Sequence, residues 1–145
     1  MIHCEEYAKT VYRIIGCAMN VHRELGGGLL EAVYQEALSL ELSDHDIIND
    51  REKEIDIYYK GHLLKKKYKM DIMVGDIIIE LKSASEITND FRAQLCNYLH
   101  LTRKPIGILI NFGQDSLKGE RWAYDYDTNE CVLIDKNMKP VRDSM

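Results

Sequence analysis

The chain has no run of apolar residues approaching the roughly 18 that a membrane span needs, which excludes a helical membrane protein. It also has no Cys-x-x-Cys pair among its four cysteines, Cys4, Cys17, Cys96 and Cys131. That argues against a zinc site or an iron–sulfur cluster and leaves reduced thiols in a cytoplasm as the expected state. The opening stretch MIHCEEYAKT lacks a basic segment followed by an apolar one, so no secretory signal is expected. An excess of positive charge is missing too. The formal net charge is −5, the wrong sign for a protein that coats nucleic acid by neutralising phosphates. The five histidines, His3, His22, His45, His62 and His100, show no ligand spacing. No repeat, low-complexity segment or base-reading motif occurs, so sequence-specific recognition of a duplex is not expected.

What is present fits one soluble domain over residues 1–145. With 46% hydrophobic and 30% charged residues, such a chain buries about two-thirds of its unfolded surface. Residues 6–25 repeat apolar positions at helical spacing, from Tyr7 and Val11 through Ile14, Ala18 and Leu25. Gly26, Gly27 and Gly28 end that helix, and a second runs from residue 29 to about 42. No Lys-Ser/Thr follows the glycines and no strand precedes them, so they read as a helix-to-helix turn rather than a phosphate loop.

Beyond Ser43-Asp44-His45-Asp46 the period changes to two. Ile55 and Ile57 alternate with polar neighbours, Lys60-Gly61 marks a hairpin turn, and a strand over 62–74 reaches a second turn at Gly75-Asp76. The strand over 77–83 completes an antiparallel meander. A helix from about residue 88 or 89 to 101 follows, and the near-continuous apolar run 106–112 reads as a central strand covered on both faces. A right-handed crossover places that strand parallel to the 77–83 strand. A last hairpin over about 121–134 turns near Thr128-Asn129. The expected fold is α/β, a mixed sheet of four or five strands flanked by helices.

Register makes the second turn informative. A two-residue turn at Gly75-Asp76 pairs Val74 with Ile77, Ile72 with Ile79 and Asp71 with Glu80, with Lys82 on the same face as Glu80. Opposed carboxylates repel, and a divalent cation between them removes that cost. Hard oxygen donors suit Mg²⁺ or Mn²⁺, and a neighbouring lysine can orient water or balance charge on a phosphate. Lys65, Lys66, Lys67 and Lys69, with Lys82, Arg103 and Lys104, are the cluster available to grip nucleic acid. The alternative for the lysine run is a solvated strand edge that blocks aggregation.

The set Asp71, Glu80-Leu81-Lys82, on a hairpin followed by a helix and a strand, resembles the PD-(D/E)xK nuclease superfamily. Gln94 and Tyr98 form a Gln-x-x-x-Tyr arrangement similar to that of RecB-like and lambda-exonuclease-like members. Gly28-Leu29-Leu30-Glu31-Ala32-Val33-Tyr34 resembles the signature of the GxxExxY family within that superfamily, and ILINFG at 108–113 resembles its last core strand. The residue before Asp71 is Met70, where the superfamily name has proline. The resemblance implies a restriction-endonuclease-like core over about 14–112, with 121–134 as a C-terminal extension. It implies a metal held by Asp71, Glu80, Glu31 and the backbone carbonyl of Leu81, with Lys82 assisting catalysis. Gln94 and Tyr98 would orient Lys82 or grip phosphate. The implied function is a Mg²⁺- or Mn²⁺-dependent nuclease acting on DNA, with RNA second. The rival is a non-catalytic binding module that keeps the fold. No membrane partner is expected, while a homo-oligomer and a partner protein supplying nucleic-acid grip stay open.

Overall fold

The computed structural model describes residue 2 and residues 4–141, so His3 lies outside the described residues. A 3₁₀ turn at Glu5–Tyr7 leads into helix α1 (Ala8–Leu25), and α2 (Glu31–Asp44) follows the glycine turn. Val11, Ile14, Cys17, Ala18 and Val21 form the buried stripe of α1, at the spacing of one helical face. The chain continues through β1 (Asp50–Ile55), a small hairpin of β2 (Tyr58–Tyr59) and β3 (His62–Leu63), then β4 (Tyr68–Val74) and β5 (Ile77–Lys82). Helix α3 (Asn89–Thr102), β6 (Ile106–Asn111), β7 (Lys118–Asp125) and β8 (Glu130–Ile134) complete it. Among the described residues no helix is long and apolar enough to cross a membrane.

Six strands form the main sheet in the order β1-β4-β5-β6-β7-β8. The β5–β6 pair is parallel, joined by α3, and every other neighbouring pair is antiparallel. The fold is therefore mixed α/β as expected, with one strand more than the upper expectation. Helices α1 and α2 cover one face, over Ile72, Val74, Ile77, Ile79, Ile108 and Ile110. Helix α3 covers the other, where Leu95, Tyr98 and Leu99 pack on Met73, Ile78 and Leu109. β5 and β6 are covered on both faces, and apart from Glu80, Lys82, Gly107 and Asn111 they consist only of Ile and Leu.

Local departures from the sequence reading have physical reasons. The strand expected over 62–74 is broken, because residues 64–67 leave the extended ladder and the Lys60-Gly61 turn closes a separate two-stranded hairpin. The C-terminal hairpin begins at Lys118, three residues earlier than the tail pattern indicated, because β7 pairs with β6 from Lys118 to Ala123. The expectation of four reduced thiols is corrected. Cys96 on α3 and Cys131 on β8 form a disulfide across 35 residues, with Cα atoms 5.9 Å apart, while Cys4 and Cys17 are free and buried. Sequence spacing could not show this, since the sheet brings the two residues together only after three further strands have formed.

Candidate active site

The turn at Gly75-Asp76 sets the geometry. Gly75 has φ +56 while Asp76 is not in the left-handed region, the signature of a type II′ hairpin turn. The register follows: Val74 with Ile77, Met73 with Ile78, Ile72 with Ile79. Regular pairing then stops. Opposite Asp71, the side chains take over from the backbone. The Asp71 amide donates to Glu80 Oε1 at 3.1 Å, and the Leu81 amide donates to Asp71 Oδ2 at 2.8 Å. On the other side of β4 the ladder also skips Asp71, where Glu52 on β1 turns to φ +51. The alternation of faces resets at the same point. Met70 packs with Met73 on the α3 side, although strict alternation would place it with Ile72 and Val74.

Both carboxylates sit where charge is expensive. Glu80 is 4% exposed, and its pKa is pushed up to about 8, chiefly by burial and next by the Asp71 charge. Asp71 is raised as well. Burial is the main cause and the nearby Glu31 charge adds to it, against the Leu81 amide and the Lys82 ammonium, which favour the carboxylate. Glu80 is thus buried and Asp71 beside it half-buried.

Lys82 Nζ donates to Gln94 Oε1 at 3.0 Å and lies 4.8 Å from the centre of the Phe91 ring. Gln94 is therefore joined to Lys82. Tyr98, one turn further along α3, is buried with its ring 5.6 Å from that of Tyr68. Its hydroxyl pKa is pushed up to about 12 by burial, then by the Glu80 and Asp71 charges. Glu31 is exposed in the first turn of α2 and acts on Asp71 through its charge. The Lys82 carbonyl accepts from Phe112 N on the β6 side at 2.8 Å. By strand alternation the Leu81 carbonyl faces β4 and Asp71.

Two residues escaped the sequence reading. Gln35, 7% exposed, reaches Asp71 Oδ1 through Nε2 at 3.5 Å, and its Oε1 accepts from Arg51 Nε at 3.3 Å and Nη2 at 3.2 Å. The available signal was the four-residue step from Glu31, which places both on one face of α2. The Gly28, Glu31 and Tyr34 motif also has a physical reading. Gly28 has φ +84, and the Tyr34 hydroxyl donates to Gly26 O at 2.6 Å and accepts from Leu29 N at 3.0 Å. With its ring stacked 4.4 Å from Phe112, Tyr34 fixes the turn from which Glu31 projects.

Away from this site, Cys17 Sγ, a Glu41 carboxylate oxygen and a His45 ring nitrogen lie within 4.8 Å of one another. His45 had no ligand partner by sequence spacing; α1 supplies Cys17 only in the fold. Asn20 Nδ2 donates to Glu41 Oε2 at 2.8 Å and His45 Nε2 contacts the same oxygen at 3.1 Å, so the group ties α1 to α2.

A family model described as the PD-(D/E)XK nuclease superfamily matches residues 8–122. The crystal structure of SSO0001 has a TM-score of 0.50 to this chain at 18% sequence identity, covering 80% of this chain, and that likeness concerns the fold alone. This chain spans 59% of the length of that one. A search of curated proteins finds no match.

Proposed function

The chain belongs to the PD-(D/E)XK nuclease superfamily, and from that premise we propose that it is a divalent-metal-dependent nuclease hydrolysing phosphodiester bonds in DNA, with RNA second. The Gly28, Glu31 and Tyr34 motif, with Gln94 and Tyr98, supports a reading of the chain as a GxxExxY-like member near the RecB-like and lambda-exonuclease-like groups. The observation that carries the reading is the hydrogen-bonded pairing of half-buried Asp71 with buried Glu80, with Lys82 beside it.

The residues fit a hard cation. Burial, and next the Asp71 charge, push the Glu80 pKa up to about 8, and hard oxygen donors of this kind suit Mg²⁺ or Mn²⁺. Asp71, Glu80, Glu31 and the Leu81 carbonyl would hold the ion. When bound, it polarises the scissile phosphate and lowers the pKa of a water. The protein's own contribution is positional. Gln94 and the Phe91 ring hold the Lys82 ammonium in place, so it meets a phosphate oxygen without reorganising. Gln35, braced by Arg51, fixes the orientation of Asp71. Tyr98 keeps its proton at physiological pH and closes the α3 side of the site against water.

Incubation with linear and circular DNA plus Mn²⁺ or Mg²⁺ tests this, beside Lys82→Ala. Cleavage by the wild type and at least a hundredfold less by the variant, about 3 kcal/mol of transition-state stabilisation, is the expected result. Equal cleavage by both proteins refutes the assignment of Lys82. The net charge of −5 favours a second reading, a binding module whose partner supplies the grip on nucleic acid. Metal binding and strand binding with no turnover would establish it.

A further inference from the structure

We propose that residues 58–69 form a landing site for single-stranded nucleic acid that feeds the strand into the carboxylate site; this rests on the nuclease reading above. The segment reads Tyr-Tyr-Lys-Gly-His-Leu-Leu-Lys-Lys-Lys-Tyr-Lys. A chain of net charge −5 therefore places five lysines and no acid in these twelve residues, and every one of them is exposed. The basic residues missing from the bulk composition are gathered here.

The segment has a defined shape. Lys60 at φ 49 and Gly61 at φ 80 make a tight turn between β2 and β3, and Leu64 N closes the base of the hairpin on Ile57 O at 2.8 Å. Tyr58 and Tyr59 are 63% and 60% exposed although they are paired in a strand. The hairpin is separate from the main sheet, and Lys65, Lys66 and Lys67 lie outside any strand. They guard no sheet edge. Lys67 is engaged by Asp56 at 3.1 Å and Glu54 at 3.9 Å, whereas Lys60, Lys65, Lys66 and Lys69 form no ion pair among the described residues.

Position connects the hairpin to the site. Tyr68 begins β4 three residues before Asp71, about 10 Å along an extended strand. Its ring touches that of Tyr98, whose hydroxyl feels both carboxylates. Exposed rings flanked by lysines match a single strand, because unstacked bases offer faces to stack on and the backbone offers phosphates to the lysines. A duplex hides those faces.

Fluorescence anisotropy with a labelled oligothymidylate, and with a duplex of the same length, tests this in EDTA so that nothing is cut. The wild type binds the single strand roughly tenfold or more tighter than the duplex. Tyr58→Ala/Tyr59→Ala weakens that binding by about ten- to a hundredfold. Lys65→Ala/Lys66→Ala lowers the slope of log affinity against log salt by about 1.4. Both variants keep the wild-type circular dichroism melt. Unchanged binding by the tyrosine variant, a preference for duplex, or binding to anionic lipid vesicles with none to the oligonucleotide overturns the proposal. The two readings fail separately. Cleavage that persists with unchanged KM in the tyrosine variant removes the hairpin and leaves the nuclease, whereas tyrosine-dependent strand binding without any cleavage removes the nuclease and leaves the hairpin.

Discussion

A single proton on the Asp71–Glu80 pair governs how this site responds to pH. Glu80 has an ordinary value of 4.5 when exposed and one pushed up to about 8 in the fold. Between those values the folded protein holds a proton that the unfolded chain has released, so stability falls as pH rises through this window. Urea unfolding at a series of pH values should show this decline between about pH 4.5 and 8, and Glu80→Gln should flatten it. On the proposed assignment metal uptake runs the other way, since a cation held by Asp71 and Glu80 needs the ionised pair. Mg²⁺ affinity measured by calorimetry should rise by up to about tenfold per pH unit until about pH 8, with protons released on binding. The pairing of these two residues was legible from one glycine and a two-residue turn. Their burial was not, because Lys82 and Glu80 on one strand face suggest solvent until α3 is placed over them. Gln35 stayed hidden for a related reason: its step from Glu31 has meaning only once α2 lies against β4.

At the scale of elements, the glycine turn and α2 behave as one unit held by Tyr34. Removing its hydroxyl leaves Gly26 O and Leu29 N without their partner in a part-buried place. Tyr34→Phe should cost about 1–3 kcal/mol in chemical denaturation and lower cleavage as Glu31 loses its footing. Glu31→Ala, at an exposed position, should keep stability within about 0.5 kcal/mol and lose activity. The helices and the β4–β5 hairpin were readable because their periods are regular and their ends carry glycine. The break in the strand at residues 64–67 was not, since a lysine run carries no periodic signal. The disulfide between α3 and β8 was beyond reach for a topological reason: no local spacing encodes a contact across 35 residues.

The whole molecule is a sheet covered by helices on both faces, with Asp71, Glu80 and Lys82 on its central strands and the basic hairpin outside it. A cation bound only by the folded state stabilises it by mass action. At a free Mg²⁺ or Mn²⁺ concentration of 100 times Kd the gain is about 2.7 kcal/mol. For a chain of 145 residues that raises Tm by about 5–10 °C. Scanning calorimetry should show the rise in the wild type and none in Glu80→Gln. Overall charge was legible from composition, but its uneven distribution was not, because only the fold shows that residues 58–67 stand outside the main sheet.

The crossed hydrogen bonds at Asp71 and Leu81 also make the site self-reporting. In a regular ladder these amide protons would point at carbonyls, whose charge never changes. Here each points at a carboxylate. Their nuclear magnetic resonances should therefore move when the pair gains or loses its proton and move again when a cation arrives, while amides at Met73 and Ile78, in the intact ladder, stay in place. Two backbone nuclei can then follow the charge state of the centre in an unlabelled active protein, with no substrate and no substitution.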